Sequence, residues 1–153
     1  MIRQSVGWFG ARVVLVALGV ASAAACLPTE DPPVVNTWEG ELSATDDGPA
    51  GVRGHIAAVA NAGRTQIGIG VSGAELAGPL GWIVREGRCA TSGQRITIAT
   101  AFPAIPLGSS GSGNAETVLG RMLATDVSYA AEVFDNAGQS GAPIACGNLI
   151  RSS

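Results

Sequence analysis

The chain has 153 residues, of which about 25 read as an export signal, leaving roughly 128 for one domain with a single hydrophobic core. With 22 Gly, 8 Pro, 46% hydrophobic and only 14% charged residues, the composition describes a turn-rich β domain and excludes a coiled coil, a disordered tail and a multi-span membrane protein. All nine basic residues are arginine, and loss of Arg3 and Arg12 with the signal leaves seven against twelve acids, a net charge of −5 that excludes a nucleic-acid partner.

At the N-terminus, Arg3 and Arg12 give a positive start, Val13 to Val20 an apolar stretch, and Ala21-Ser22-Ala23-Ala24-Ala25 the small residues that a signal peptidase needs. The apolar stretch is shorter than the ~20 residues of a comfortable membrane span. Cys26 follows directly. A cysteine after Ala23-Ala24-Ala25 resembles the lipobox of bacterial lipoproteins, although that pattern prefers Leu where Ala23 stands. The resemblance implies a diacylated Cys26 and a membrane anchor; ordinary cleavage at Ala25 is the alternative. Three cysteines in an exported chain leave one over after pairing, and pairing Cys89 with Cys146 while acylating Cys26 accounts for all three. Segment 26–33, rich in proline and acid, reads as a lipidated tether, and the folded domain is expected over 34–153.

In the folded part the dominant signal is period-two alternation. Residues 34–44 set Trp38, Gly40 and Leu42 against Thr37, Glu39 and Glu41, and Thr45 to Pro49 is a turn. Residues 52–60 set Val52, Ile56 and Ala58 against Arg53 and His55. Asn61-Ala62-Gly63 is a tight hairpin turn, and 64–72 carries Ile67, Ile69 and Val71 on one face. A loop over 73–79 precedes a strand over 80–86, with Trp82 and Val84 on one side and Ile83 and Arg85 on the other. Between 87 and 114 only Ile96-Thr97-Ile98 is β-prone, and Gly108 to Gly113 reads as a flexible loop. Residues 115–123 show too little alternation to assign, while Val118, Leu119, Met122 and Leu123 are expected to be buried. Residues 127–134 put Val127, Tyr129, Ala131 and Val133 on one face, 135–142 turn, and 143–150 form the last strand. Seven or eight short strands separated by turns imply an all-β antiparallel sandwich.

Two segments carry a family resemblance. Gly81-Trp82-Ile83-Val84-Arg85-Glu86-Gly87-Arg88-Cys89-Ala90-Thr91-Ser92-Gly93 resembles the copper-site strand and following loop of Cu/Zn superoxide dismutases, Gly-Phe-His-Val-His-Glu and then Cys-Thr-Ser-Ala-Gly. Ile144-Ala145-Cys146-Gly147-Asn148-Leu149-Ile150 resembles the C-terminal Leu-Ala-Cys-Gly-Val-Ile strand of that family. Trp38-x-Gly, Gly51-Val52-Arg53-Gly54 and Ser128-Tyr129-Ala130 look closer still to bacterial superoxide-dismutase-like and chordin-type (CHRD) domains. The resemblance implies a Greek-key β-sandwich and a Cys89–Cys146 disulfide.

The departures bear on function. The family's two copper-binding histidines match Ile83 and Arg85, a third ligand matches Phe134, and the bridging histidine falls near Arg95. Its guiding arginine matches Pro143. A copper site needs several neutral imidazoles, and this chain has one histidine, His55, on a face expected to be exposed. Asp46-Asp47 reads as turn acids rather than a calcium pair, and Gly108 to Gly113 lacks the Lys and helix of a phosphate loop. No Ser and carboxylate context surrounds His55 for a catalytic triad. The expected function is therefore a cofactor-free, metal-free binding or structural module at the bacterial envelope, tethered through Cys26 and serving an envelope or extracellular partner. A residual copper-dependent enzyme of the dismutase family is the alternative. Ile83, Arg85 and Phe134 are expected on one outer face, with Ile83 and Phe134 in contact and the Arg85 stem laid over them. That arrangement sets its guanidinium in water near Glu132 or Glu86, making a small exposed docking patch.

Overall fold

The computed structural model describes residues 35–152; the expected signal sequence, Cys26 and the 26–33 tether lie outside the described residues. Eight strands form: β1 (Asn36–Ala44), β2 (Arg53–Asn61), β3 (Arg64–Ser72), β4 (Gly81–Arg88), β5 (Thr91–Arg95), β6 (Ser112–Leu119), β7 (Tyr129–Phe134) and β8 (Ala145–Arg151). All pairings are antiparallel, in the order β5-β4-β7-β8-β1-β2-β3-β6. The all-β expectation holds, and the sheet curls so that its two halves enclose one core.

Alternation is what builds that core. Trp38 and Leu42 of β1, Ile56, Ala58 and Ala60 of β2, and Ile67, Ile69 and Val71 of β3 are buried, while their sequence neighbours face solvent or are only partly covered. From the other half come Trp82, Val84, Tyr129, Ala131, Val133 and Leu149, all in the same apolar cluster. The β2–β3 hairpin closes on Ala62-Gly63, with φ of 48° and 79° and Asn61 paired to Arg64. Two successive positive φ values are the turn whose twist matches that of the flanking strands.

Three expectations are corrected between β4 and β7. Ile96-Thr97-Ile98 is not a strand; the strand is the preceding polar run Thr91–Arg95, which hairpins onto β4 through Cys89-Ala90. The glycine-serine stretch is not wholly loop, since β6 begins at Ser112 and continues through residues left unassigned by alternation. Leu119 and Leu123 are buried as expected, but Val118 and Met122 are exposed, because β6 turns its odd-numbered side chains inward.

The segment joining β5 to β6 runs along the gap between these two end strands. Leu80 bridges Ile105, Trp82 Nε1 donates to the Pro103 carbonyl at 2.7 Å, and the Thr117 hydroxyl donates to the Ala101 carbonyl. Phe102 packs edge-on against Trp82 with centroids 4.8 Å apart. These contacts tie the β5–β6 segment to the start of β4 and to β6.

Candidate functional site

The positions matched to copper ligands lie on the outer face of β4 and β7. Register pairs Gly81 with Phe134, Ile83 with Glu132 and Arg85 with Ala130. Directly paired residues share a face, so Ile83 and Phe134 are diagonal neighbours on one side of the sheet, with Glu132 and Arg85 beside them. The shared face was expected, but the exposed docking patch expected there does not form. Ile83 is fully buried and Phe134 is 2% exposed, and every residue of β7 is buried on both faces.

The cover comes from the turn after β7. A Cβ on Gly81 would stand 2.4 Å from the Asn136 carbonyl oxygen and 2.8 Å from Gln139 Cγ, so only glycine lets this turn approach the strand so closely. Gln139, at φ 56°, is buried and donates from Nε2 to the Phe102 carbonyl at 3.2 Å. The Arg95 guanidinium donates to the Gln139 carbonyl at 3.2 Å. The turn is thereby tied to both the β5–β6 segment and β5.

Arg85 is not laid out in water. Its Nε donates to Glu132 Oε2 at 2.6 Å, and a second guanidinium nitrogen reaches the Gly93 carbonyl at 3.4 Å. The Glu132 side chain is 7% exposed and that of Arg85 24%, so this is a charge-assisted bond with a mostly buried carboxylate rather than a loose surface pair. Arg85 and Arg95 face each other across β4 and β5. Two cations, each spent on a fixed acceptor, thus stand at positions matched to imidazoles.

Copper does not fit this donor set. Ile83 and Phe134 offer no lone pair, and the guanidinium of Arg85 is a permanent cation with no acceptor. His55 sits on β2, remote from β4 and β7 in the strand order, where its Nδ1 lies 3.5 Å from Glu41 Oε1 on β1 and both side chains are exposed. Among the described residues, no three His, Cys, Asp or Glu side chains gather as metal ligands.

Cys89 and Cys146 form a disulfide with a Cα–Cα distance of 5.9 Å. It joins the β4–β5 turn to β8, and the Cys89 N–H also donates to Asn148 Oδ1 at 2.9 Å. Cys146 pairs with Glu132 on one side and Ser43 on the other. Asp46 and Asp47, exposed turn acids as expected, line with Cys89, Glu132, Pro143 and Cys146 a cleft of about 520 Å³.

No protein-family model matches the chain, and no curated protein does. The chemistry of the face therefore carries the reading. It combines apolar packing with a closed ion pair. Away from this face, burial pushes the Tyr129 phenol above its ordinary 10.0, against the opposing effect of the Ala124 N–H, which donates to its oxygen at 2.9 Å. Neighbouring Glu86 adds to the rise and Arg121 opposes it.

The sequence offered Glu132 or Glu86 as a partner for Arg85, and Glu132, which shares the parity of Ala130 and Phe134, is the one that pairs with it. Arg95 and Gln139 as cross-links carry no such signal, because their contacts depend on the path of two loops.

Proposed function

We propose that this protein is an exported, lipid-tethered and metal-free domain of the superoxide-dismutase-like or CHRD-like kind, acting as a binding or structural module at the bacterial envelope. The observation that supports it best is the Arg85–Glu132 pair, with Ile83 and Phe134 buried beside it, at positions matched to copper ligands. The Glu132 carboxylate is engaged by a guanidinium at 2.6 Å with little solvent access, and none of the matched positions Ile83, Arg85 and Phe134 offers a metal an electron pair. The strand order, with β4 between β5 and β7 and β8 between β7 and β1, supports the Greek-key arrangement expected from the resemblance. The disulfide accords with an oxidising compartment, and the cysteine count leaves Cys26 for acylation.

Two measurements test the proposal. Metal analysis of the purified protein is expected to find copper and zinc far below one per chain, with no dismutation above the free-metal background; stoichiometric copper with dismutation replaces the proposal by the enzyme reading. Detergent partitioning and mass spectrometry are expected to show a lipid-modified N-terminus at Cys26, lost in Cys26→Ser. Recovery of unmodified wild-type protein in the soluble fraction rejects the anchor.

A further inference from the structure

Of the three tryptophans in the sequence, two lie among the described residues, and they are served differently. Trp82 Nε1 donates to the Pro103 carbonyl at 2.7 Å. Trp38, 1% exposed, makes no hydrogen bond through its indole N–H among the described residues, and that nitrogen is not one of their fully enclosed unpartnered atoms. A sealed N–H of this kind costs about 1–3 kcal/mol, so such groups are rarely left without an oxygen. Trp38 is not sealed. It contributes to a cleft of about 480 Å³ where β1, β8 and the chain leading into β7 meet at one end of the core.

The lining of this cleft favours one charge. Arg88 and Arg151 both border it and both are exposed, and among the described residues neither has a carboxylate partner, the ion pairs there being His55–Glu41 and Arg85–Glu132. Arg151 pairs in register with Trp38, so the guanidinium-bearing residue and the indole share a face. Asn148 spends its carbonyl oxygen on the Cys89 N–H, which leaves its amide NH2 as a donor. Against these donors stands a single carboxylate, Asp126, and the apolar lining includes Val127 and Leu149. In a chain with more acids than bases, two arginines without an ion-pair partner among the described residues, in one cleft with Trp38, form a concentration of donors that outnumbers its acceptors.

We infer that this cleft is a binding site for a small organic monocarboxylate with an apolar body. The carboxylate would accept from the Trp38 N–H and from the guanidinium forks, whose planar geometry matches it, while the body lies against Val127 and Leu149. Asp126 leaves the site a net charge of about +1, which suits a monoanion and disfavours phosphate dianions. A mouth of a β-structure lined by apolar side chains and a few convergent polar groups is a common setting for such ligands. The site is separate from the β4–β7 outer face and does not depend on the tether.

The test follows the Trp38 indole N–H resonance of the full, isotope-labelled protein during titration with hexanoate, its neutral analogue hexanamide, and inorganic phosphate. Hexanoate is expected to move the resonance saturably and hexanamide to leave it in place. Arg88→Gln and Arg151→Gln are each expected to weaken hexanoate by about tenfold or more. Both arginines are exposed, and an otherwise unchanged amide spectrum shows that each variant is folded. Absence of a saturable shift, equal binding of hexanamide, tighter binding of phosphate, or indifference to both substitutions in folded protein overturns the inference.

Discussion

The two outer faces of the sheet obey the same alternation and have opposite fates. On β1, β2, β3 and β6, side chains that point away from the core meet water: Val59 and Val118 stay exposed at either side of Gln66, and His55 lies open beside Glu41. On β4 and β7 the outward residues Ile83, Glu132 and Phe134 are as buried as the core itself. The strands do not cause the difference. A glycine at position 81 admits the turn after β7, and Arg95 and Gln139 fasten that turn in place. Burial of a second sheet face is thus a property of loops, and it turns a surface ion pair into an internal one.

The sharpest way to break this contrast is to truncate one large apolar residue on each face. Phe134→Ala is expected to destabilise by about 3–5 kcal/mol, as for a core phenylalanine, whereas Val118→Ala is expected to stay within about 0.5 kcal/mol. Denaturant titration reads both, and similar values for the two would mean that the β7 face is open in solution. Removal of the disulfide by Cys89→Ala follows. The bridge spans 57 residues, for which the chain-entropy relation gives roughly 4 kcal/mol, with actual losses often smaller. An unchanged melting temperature would deny the bridge its role in holding the covered face together.

Glu132→Ala should have a smaller effect, about 1–3 kcal/mol, because Arg85 is left without its carboxylate but keeps partial access to water. Arg85→Ala in the same background should then cost little more, and a double-mutant cycle measures the coupling. The smallest effect is alkaline. Burial raises the phenol of Tyr129 in the folded state, so the unfolded chain ionises first. Its contribution to stability is full below about pH 10 and is lost as pH rises through the folded value. Tyr129→Phe should flatten the fall in melting temperature above pH 10, and a wild-type curve that is already flat there would contradict the shift.

How much was legible follows the same division. β1, β2 and β3 are readable because each buries one face only, so polar and apolar residues alternate without interruption, and Ala62-Gly63 marks the turn between two of them. β5 is not readable, since Thr91–Arg95 is polar throughout and is placed by its hairpin with β4. β6 misleads for another reason: its glycine-serine start resembles a linker, and Val118, the largest aliphatic residue before Leu119, points outward. At the candidate site, parity was enough to place Ile83, Arg85, Glu132 and Phe134 together. Their burial was beyond it, because nothing in a period of two reports where residues 135–142 return. The arginine cleft was missed entirely, since Trp38, Arg88 and Arg151 come from distant parts of the sequence and only the pairing of β1 with β8 unites them.

That pairing also sets an order in time. β1 is the first strand of the sheet to be synthesised and β8 the last, yet they are neighbours, and the order of strands places β1 at the seam between β5-β4-β7-β8 and β2-β3-β6. The local β1–β2–β3 meander has everything it needs early and can form while the rest of the chain is still arriving. The joint to β8 requires closure of nearly the whole domain, the slowest kind of contact for a β protein to make. Until Ala145–Arg151 docks, one edge of β1 is an unpaired template and Trp38 lacks its roof. A chain of this design is therefore most vulnerable to aggregation just before its final strand arrives, and substitutions in β8 should reduce yield more than they reduce the stability of whatever protein does fold.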